Sequence, residues 1–260
     1  MELERLSALA VEAAAAGAEV ARSGFGRAKR VETKSSGIDL VTEYDRKAQD
    51  AIAAVLRAGT PDYGLLGEEG LSQGAEGGAV WVIDPIDGTT NFAHHSPIFA
   101  VSIGLVLDGR PQVGVVEAPE MGERFVAVRG QGATLNGRPM RVSDNPELAR
   151  AVLATGFAYD RAVIERNLRL FSKFVLRSRA VRRLGSAALD LCWVAAGRFD
   201  GFWEMGLKPW DVAAGWLLVE EAGGRVSDLA GGQFSLDGHN LLSSNGKVHG
   251  QMLDVLKEEA

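Results

Sequence analysis

Two carboxylates, Asp84 and Asp87, run directly into Gly88, Thr89 and Thr90 in the segment WVIDPIDGTTNF, residues 81–92. Pro85 biases Asp84 toward extended backbone, so an apolar strand can deliver that carboxylate at its end. Gly88 permits a sharp turn, and Thr89 and Thr90 can cap a following short helix whose free N–H groups face an anion. Acidic oxygens and an anion-binding helix start would repel one another's ligand unless a divalent cation joined them. Carboxylates then hold the metal, and metal and amides together hold a phosphate. Mg²⁺ suits this donor set better than zinc, because its ligands are hard oxygens from carboxylates, phosphate and water. The four histidines, His94, His95, His239 and His249, do not fall into a zinc spacing, and Cys192 is the single cysteine. Spacing alone fits an ordinary strand-to-turn junction equally well.

Two further acidic islands sit in comparable places. LLGEEG puts Glu68 and Glu69 at the end of a short apolar strand, where a solvated turn is the bland alternative. LKPWDVAAGWLLVEEAGG puts Asp211 in the first turn of a helix begun by Pro209 and ended by Gly223-Gly224. Taken alone, Asp211 simply complements the helix dipole.

The elements that must position these residues follow from periodicity and punctuation. Residues 2–22 form an amphipathic helix ending at Gly24. Arg30 to Val41 holds two extended pieces around a mobile loop at Lys34-Ser35-Ser36-Gly37. A second helix spans Thr42 to Leu56, with Thr42 as N-cap and Asp45 in a capping-box position. Short extended segments follow at Tyr63–Leu66 and Val80–Ile83. From Ile98 to Val142 the pattern is strands, with hairpin turns at Asp108-Gly109 and Asn136-Gly137. They make an antiparallel sheet on which the two early helices pack.

After Pro146 strands and helices alternate: strands at Ala151–Thr155, Arg179–Arg182 and Gly201–Glu204, and near Val226 and Leu241. Helices span Ala162–Val175, Ser186–Ala196, Pro209–Ala222 and Lys247–Lys257. This divides the chain into an α+β half, 1–145, and an α/β half, 146–260. Cys192, beside Leu189, Trp193 and Ala196, reads as core. Trp203, next to Glu204, could shape a pocket, and His94 and His95 could stand at its rim or be ordinary loop residues.

The bulk numbers narrow the classes. A chain of 260 residues with a 46 % hydrophobic fraction is long enough to bury a large core. A formal net charge of −6 lacks the basic footprint of a nucleic-acid binder, so no direct nucleic-acid contact is expected. The first helix carries acids and no long apolar run, unlike a signal peptide or membrane span. With a single cysteine, these features point to a cytoplasmic protein without membrane contact.

The chain resembles the inositol monophosphatase family of Mg²⁺-dependent phosphatases. The resemblance is carried by GEEG at 67–70, WVIDPIDGTTNF at 81–92, GSAALDLCWVAAGRFDGFWEMGLKPWD at 185–211 and WDVAAGWLLVEEAGG at 210–224. The third segment resembles the bacterial inositol-1-monophosphatase branch in particular. The resemblance implies a layered αβαβα sandwich, commonly a homodimer, holding two to three Mg²⁺ ions. Glu68, Asp84 and the carbonyl of Ile86 would ligate one ion. Asp84, Asp87 and Asp211 would hold a second, and a third would sit by Glu68. Asp45 and Thr89 match the pair that orients and deprotonates the attacking water, with Glu68 assisting. Gly88 and Thr89 amides would cradle the phosphate. Asp87, Asp211, Glu204 and the edge Gly185, Ser186, Ala187 would meet the rest of the substrate. Lys34, Glu69, Thr90 and Arg183 are further candidates; Arg183 stands near the leaving group or at a subunit contact, or equally is simple surface charge beside Arg182.

The activity implied is hydrolysis of inositol 1-phosphate to myo-inositol and phosphate by in-line attack of a metal-activated water. Fructose 1,6-bisphosphate, 3′-phosphoadenosine 5′-phosphate, NADP(H) and histidinol phosphate are the alternative substrates within the superfamily, since the metal motif reads only the phosphate. A regulatory protein-interaction module on the same fold is the alternative from a different class. It predicts loss of a metal-ligating residue or an added docking segment, and the sequence has neither.

Overall fold

The computed structural model describes residues 2–27, 31–33, 40–74, 78–158 and 160–258. Lys34 and the rest of the Lys34–Gly37 loop lie outside the described residues. The chain opens with α1 (Glu2–Gly24), then β1 (Val31–Thr33) and β2 (Leu40–Thr42), which pair antiparallel. Helix α2 (Glu43–Gly59) follows, started by a capping box in which Thr42 and Asp45 exchange hydrogen bonds.

Next come β3 (Gly64–Gly67), β4 (Ser72–Gln73), β5 (Ala79–Asp87) and the short α3 (Thr89–Ala93). Strands β6 (Ala100–Leu107), β7 (Arg110–Ala118), β8 (Glu123–Val128), β9 (Gly132–Leu135) and β10 (Arg138–Pro139) complete one sheet of eight strands. Its order is β10-β9-β8-β7-β6-β5-β3-β4, and only β3 and β5 run parallel. Asp108 and Asn136 have φ of 50° in their hairpins, followed by Gly109 and Gly137 at 73° and 75°, the turn geometry expected at both places.

Past Pro139 the chain enters a second, five-stranded sheet. It contains β11 (Val152–Thr155), β12 (Ala180–Arg182), β13 (Gly201–Met205), β14 (Arg225–Ser227) and β15 (Asn240–Ser244) in the order β12-β11-β13-β15-β14. Between these strands lie α4 (Arg161–Arg177), α5 (Ala187–Ala195), α6 (Pro209–Glu221) and, at the end, α7 (His249–Lys257).

Alternation along the strands sorts the layers. On β5, Trp81 and Ile83 pack under α1 and α2, while Val82 packs with Ala213 of α6. On β13, Phe202 faces α5 and α6, while Trp203 faces Phe174 of α4 and Met252 of α7. The order is therefore helices α1 and α2, the large sheet, helices α5 and α6, the small sheet, helices α4 and α7: an αβαβα sandwich. Helices α5 and α6 are buried on nearly every face, as expected of a middle layer. Trp203 does not shape a pocket. Its ring stacks against Phe174 at a centroid distance of 4.1 Å and its Nε1–H donates to Asn167 Oδ1 at 2.7 Å, because a strand sends neighbouring side chains to opposite faces.

Two small residues decide how close the middle layer comes. Gly104 and Gly114 are register partners on β6 and β7, directly beneath Ala213 and Ala214 of α6. A Cβ on Gly114 would stand 2.8 Å from the Ala214 carbonyl oxygen, and one on Gly104 2.7 Å from the Ala213 Cβ. The obstacle at Gly114 is helix backbone, which cannot rotate aside. Gly114→Ala should lower stability by about 1–3 kcal/mol through overpacking, measured by urea unfolding. It should also depress activity, because Asp211 begins the displaced helix. Unchanged stability would mean that α6 does not need this clearance.

Candidate active site

Strand β5 carries the first two carboxylates to the middle layer through an irregularity. Asp84 pairs with Ser102 and Asp87 with Ala100, so β5 spends one residue more than β6 over the same distance. Strict alternation would point residues 84 and 87 to opposite faces; the extra residue turns both to the α5 and α6 side. The Ile86 N–H donates to Asp84 Oδ1 at 3.1 Å and fixes that carboxyl within the bend. Asp211 arrives from the first turn of α6, with the Lys208 N–H donating to its Oδ2 at 2.6 Å. One oxygen from each of Asp84, Asp87 and Asp211 lies within 4.8 Å of the others.

Glu68 comes from the turn after β3, whose N–H donates to the Ile83 carbonyl at 3.2 Å. Gln49 on α2 holds the same turn, accepting from the Glu69 N–H at 3.0 Å. Glu69 is thus a backbone anchor beside the site, and its charge helps raise the pKa of Asp45.

Gly88 has φ of 89°, and its carbonyl starts α3. Any side chain there would be strained and would meet the Ile98 and Gly185 carbonyl oxygens at 3.0 and 3.1 Å. Here the structure corrects one expectation: neither Thr89 nor Thr90 caps α3. Gly88 holds the cap position, and the Thr89 hydroxyl turns back instead, 3.0 Å from both Asp45 Oδ1 and the Ile86 carbonyl oxygen. A hydroxyl has one proton, so it donates to one of these at a time. The other oxygen of Asp45 accepts from the Thr42 N–H at 2.8 Å and the Thr42 hydroxyl at 2.5 Å. Asp45 is fully buried and reaches the cavity only by way of Thr89.

Asp87 is seated on the start of α5. Its Oδ2 accepts from the Ser186 hydroxyl and from the Ala188 N–H, the latter at 2.9 Å. Gly185, with φ of 88°, and Asn91 lock this junction; Asn91 Nδ2 donates to the Ile98 carbonyl at 2.7 Å and the Leu184 carbonyl at 2.8 Å. On the opposite wall, period-2 alternation on β13 turns Glu204 inward, over Gly156, where a Cβ would collide with its carboxyl at 2.1 Å.

These groups surround one cavity of about 930 Å³, lined by Glu68, Asp84, Ile86, Asp87, Gly88, Thr89, Thr90, Gly185, Ser186, Ala187, Glu204 and Asp211, and by Arg183. His94 and His95 are not in its wall; the His95 ring packs edge-on against Phe25. Cys192 is buried in the core beneath α6. Asp190 does line the cavity, and sequence reasoning missed it. A lone acid in a helix's first turn gives no signal beyond dipole complementarity.

Packing acids together out of water makes their charged forms costly. Burial, then the neighbouring Glu68, Asp87 and Asp211 carboxyls, raise Asp84 well above the carboxylate range. Burial and the Asp87 and Glu68 charges do the same for Asp211. Burial raises Asp87 to about 6 against the opposing pull of Ser186 and Ala188, and raises Asp45 to about 6 against Thr42. Burial and Asp87 raise Glu204 to about 8, with Arg183 opposing. A cluster of hard oxygen donors with this unrelieved repulsion fits a divalent cation.

A profile of the inositol monophosphatase family matches residues 2–259. The inositol-1-monophosphatase of Synechocystis is 43 % identical over 258 residues, covering 98 % of this chain and 90 % of that protein. A Pseudomonas aeruginosa relative named Nus factor SuhB is 46 % identical over 225 residues, covering 84 % of this chain and 83 % of that one. The solved inositol monophosphatase of Anabaena superposes with a TM-score of 0.87 at 37 % identity, over 99 % of this chain and 97 % of that one. Fold and acidic cleft together are those of a phosphatase for small phosphate esters with a cluster able to hold metal. Within that class, the chain belongs to the inositol monophosphatase family. Among the described residues no helix is long and apolar enough to cross a membrane.

Glu204 yields a pH prediction. Its folded pKa lies above its ordinary 4.5, at about 8, so the folded state keeps a proton the unfolded state has released. The resulting cost is absent below the ordinary value, grows as pH rises between the two, and is complete above about 8. In protein stripped of divalent cations, Glu204→Gln should melt at the wild-type temperature near pH 4.5 and above it at pH 8 to 9. A difference independent of pH would contradict the assignment.

Proposed function

We propose that the ester hydrolysed is inositol 1-phosphate and that the cation is Mg²⁺. The observation that carries this reading is the pairing, across one cavity, of the acidic cluster with the inward-facing Glu204. Glu68, Asp84, Asp87, Asp211 and the Ile86 carbonyl would hold two to three ions. When bound, Mg²⁺ supplies positive charge against the phosphoryl oxygens and acidifies coordinated water.

The protein's own groups do the rest. The Gly88 and Thr89 N–H groups receive phosphate oxygens. Thr89, donating its proton to ionised Asp45, leaves its own lone pairs to hold the attacking water in line with phosphorus. Asp45, raised to about 6, is poised to take up the water's proton through Thr89 near neutral pH. Thr42 keeps the second Asp45 oxygen occupied, so the first can face only Thr89. Glu204 and the Gly185–Ala187 edge receive the alcohol. A single cysteine suits a reducing, cytoplasmic setting, and the family likeness favours a homodimer.

Phosphate release should be measured with and without Mg²⁺ from inositol 1-phosphate, fructose 1,6-bisphosphate, 3′-phosphoadenosine 5′-phosphate, NADP⁺ and histidinol phosphate. Inositol 1-phosphate should have the highest kcat/KM, and chelation should abolish turnover. Asp87→Asn should lose at least ~100-fold and also lose the Mg²⁺-induced rise in melting temperature. Asp45→Asn should lose about 10²–10⁴-fold in kcat while keeping that rise. Another substrate in first place would leave the chemistry standing and reassign the alcohol. The relatives named Nus factor SuhB favour a second reading, a protein-interaction role; absence of turnover with Mg²⁺ binding intact would turn to that role or to a phosphoester outside this set.

A further inference from the structure

Asp190 is a buried acid that the hydrolytic machinery leaves unused. It lies on α5 one turn beyond Ser186, is 1 % exposed, and lines the same cavity as Asp87 and Glu204. Its Oδ1 is sealed from solvent and, among the described residues, has no hydrogen-bond partner. An orphaned buried polar atom costs about 1–3 kcal/mol, so folds rarely keep one without a use. Arg183 is only a partial counter-charge: burial first, then the acidic Glu204 and Asp87, outweigh it and hold the carboxyl well above the usual carboxylate range. Burial among acids makes this position unfavourable for folding, which points to a use in binding.

The location narrows what that use is. Asp190 is on the helix whose N-terminus seats Asp87, it lines the same cavity as Glu204, and both acids act on its charge. It is absent from the group of carboxylate oxygens that converge for metal, which is Asp84, Asp87 and Asp211 among the described residues. It therefore belongs to the alcohol side of the cavity. A carboxyl's terminal torsion is broad and roughly two-fold, so a small rotation offers either oxygen to a ligand. A hydroxyl can donate to the carboxylate or accept from the acid, so the match holds in either protonation state.

We propose that Asp190 is a second substrate-binding carboxyl, and that the preferred alcohol carries at least two free hydroxyls, one met by Glu204 and one by Asp190. This rests on the polyol-phosphate reading above and names the residue that gives it specificity.

The test compares wild type, Asp190→Leu and Asp190→Asn on inositol 1-phosphate and on phenyl phosphate, whose alcohol offers no further hydroxyl. In the leucine variant the ratio of kcat/KM for inositol 1-phosphate over phenyl phosphate should fall roughly tenfold or more, mostly in KM. The asparagine variant, which can still hydrogen-bond, should recover most of it. Both variants should melt at or above the wild-type temperature, because a buried acid without a partner has gone. Parallel losses on both substrates with a lower melting temperature would make Asp190 structural and overturn the proposal. An unchanged ratio in Asp190→Leu would overturn it while leaving inositol 1-phosphate as substrate. Wild-type turnover of phenyl phosphate without inositol 1-phosphate would instead remove the substrate reading, and this assignment with it.

Discussion

Asp84, Asp87 and Asp211 must share a space a few ångströms wide, largely out of water, with Glu68 beside them, and like charges so placed repel. Burial raises the pKa of all three, and the neighbouring carboxylates add to it for Asp84 and Asp211. Left to themselves the side chains would separate, so backbone has to hold them. Each is fixed by a local device: the β5 irregularity and an Asx turn for Asp84, the α5 N-terminus for Asp87, the α6 first turn for Asp211, the Gln49-braced turn for Glu68. The architecture around them is a means of supplying rigid termini to one point.

That requirement explains the five layers. A two-layer domain could bring a strand end and a loop together, but two helix starts must also converge there. Placing α5 and α6 between two sheets achieves this, since both sheets press on them and both begin beside the end of β5. The cost is that the middle helices have almost no polar face. Their stability comes from the sheets, and the Gly104–Gly114 pair lets α6 approach closely enough for Asp211 to reach its partners. Packing two residues along from Asp84 and Asp211 thus bears on the spacing between the acids.

Much of this was legible in the sequence because the local signals are strong. Thr42 and Asp45 read as a cap, Asp108-Gly109 and Asn136-Gly137 as turns, and the strand-helix alternation after Pro146 as layers. Each rests on backbone preferences that tertiary context had no reason to override. The failures fall where two elements meet. Thr89 has the composition of a cap, yet the competing partners, Asp45 and the Ile86 carbonyl, come from other elements. Trp203 sits beside Glu204 in the chain and behind it in the fold. Asp190 gave no signal because only the cavity distinguishes it from an ordinary first-turn acid.

Asp45 divides its two oxygens between a helix cap and the proposed chemistry. Oδ2 is committed to the Thr42 N–H and hydroxyl, and this bond starts α2. Oδ1 is left to Thr89. A carboxylate free to rotate would exchange its oxygens and lose direction; the capping box removes that freedom. The same burial that makes the cap strong raises the pKa to about 6, near where a base must work at neutral pH. A helix start placed beside the acidic cleft thereby aims one carboxylate oxygen at Thr89, and the proposed role of Asp45 as base needs no residue beyond the cap.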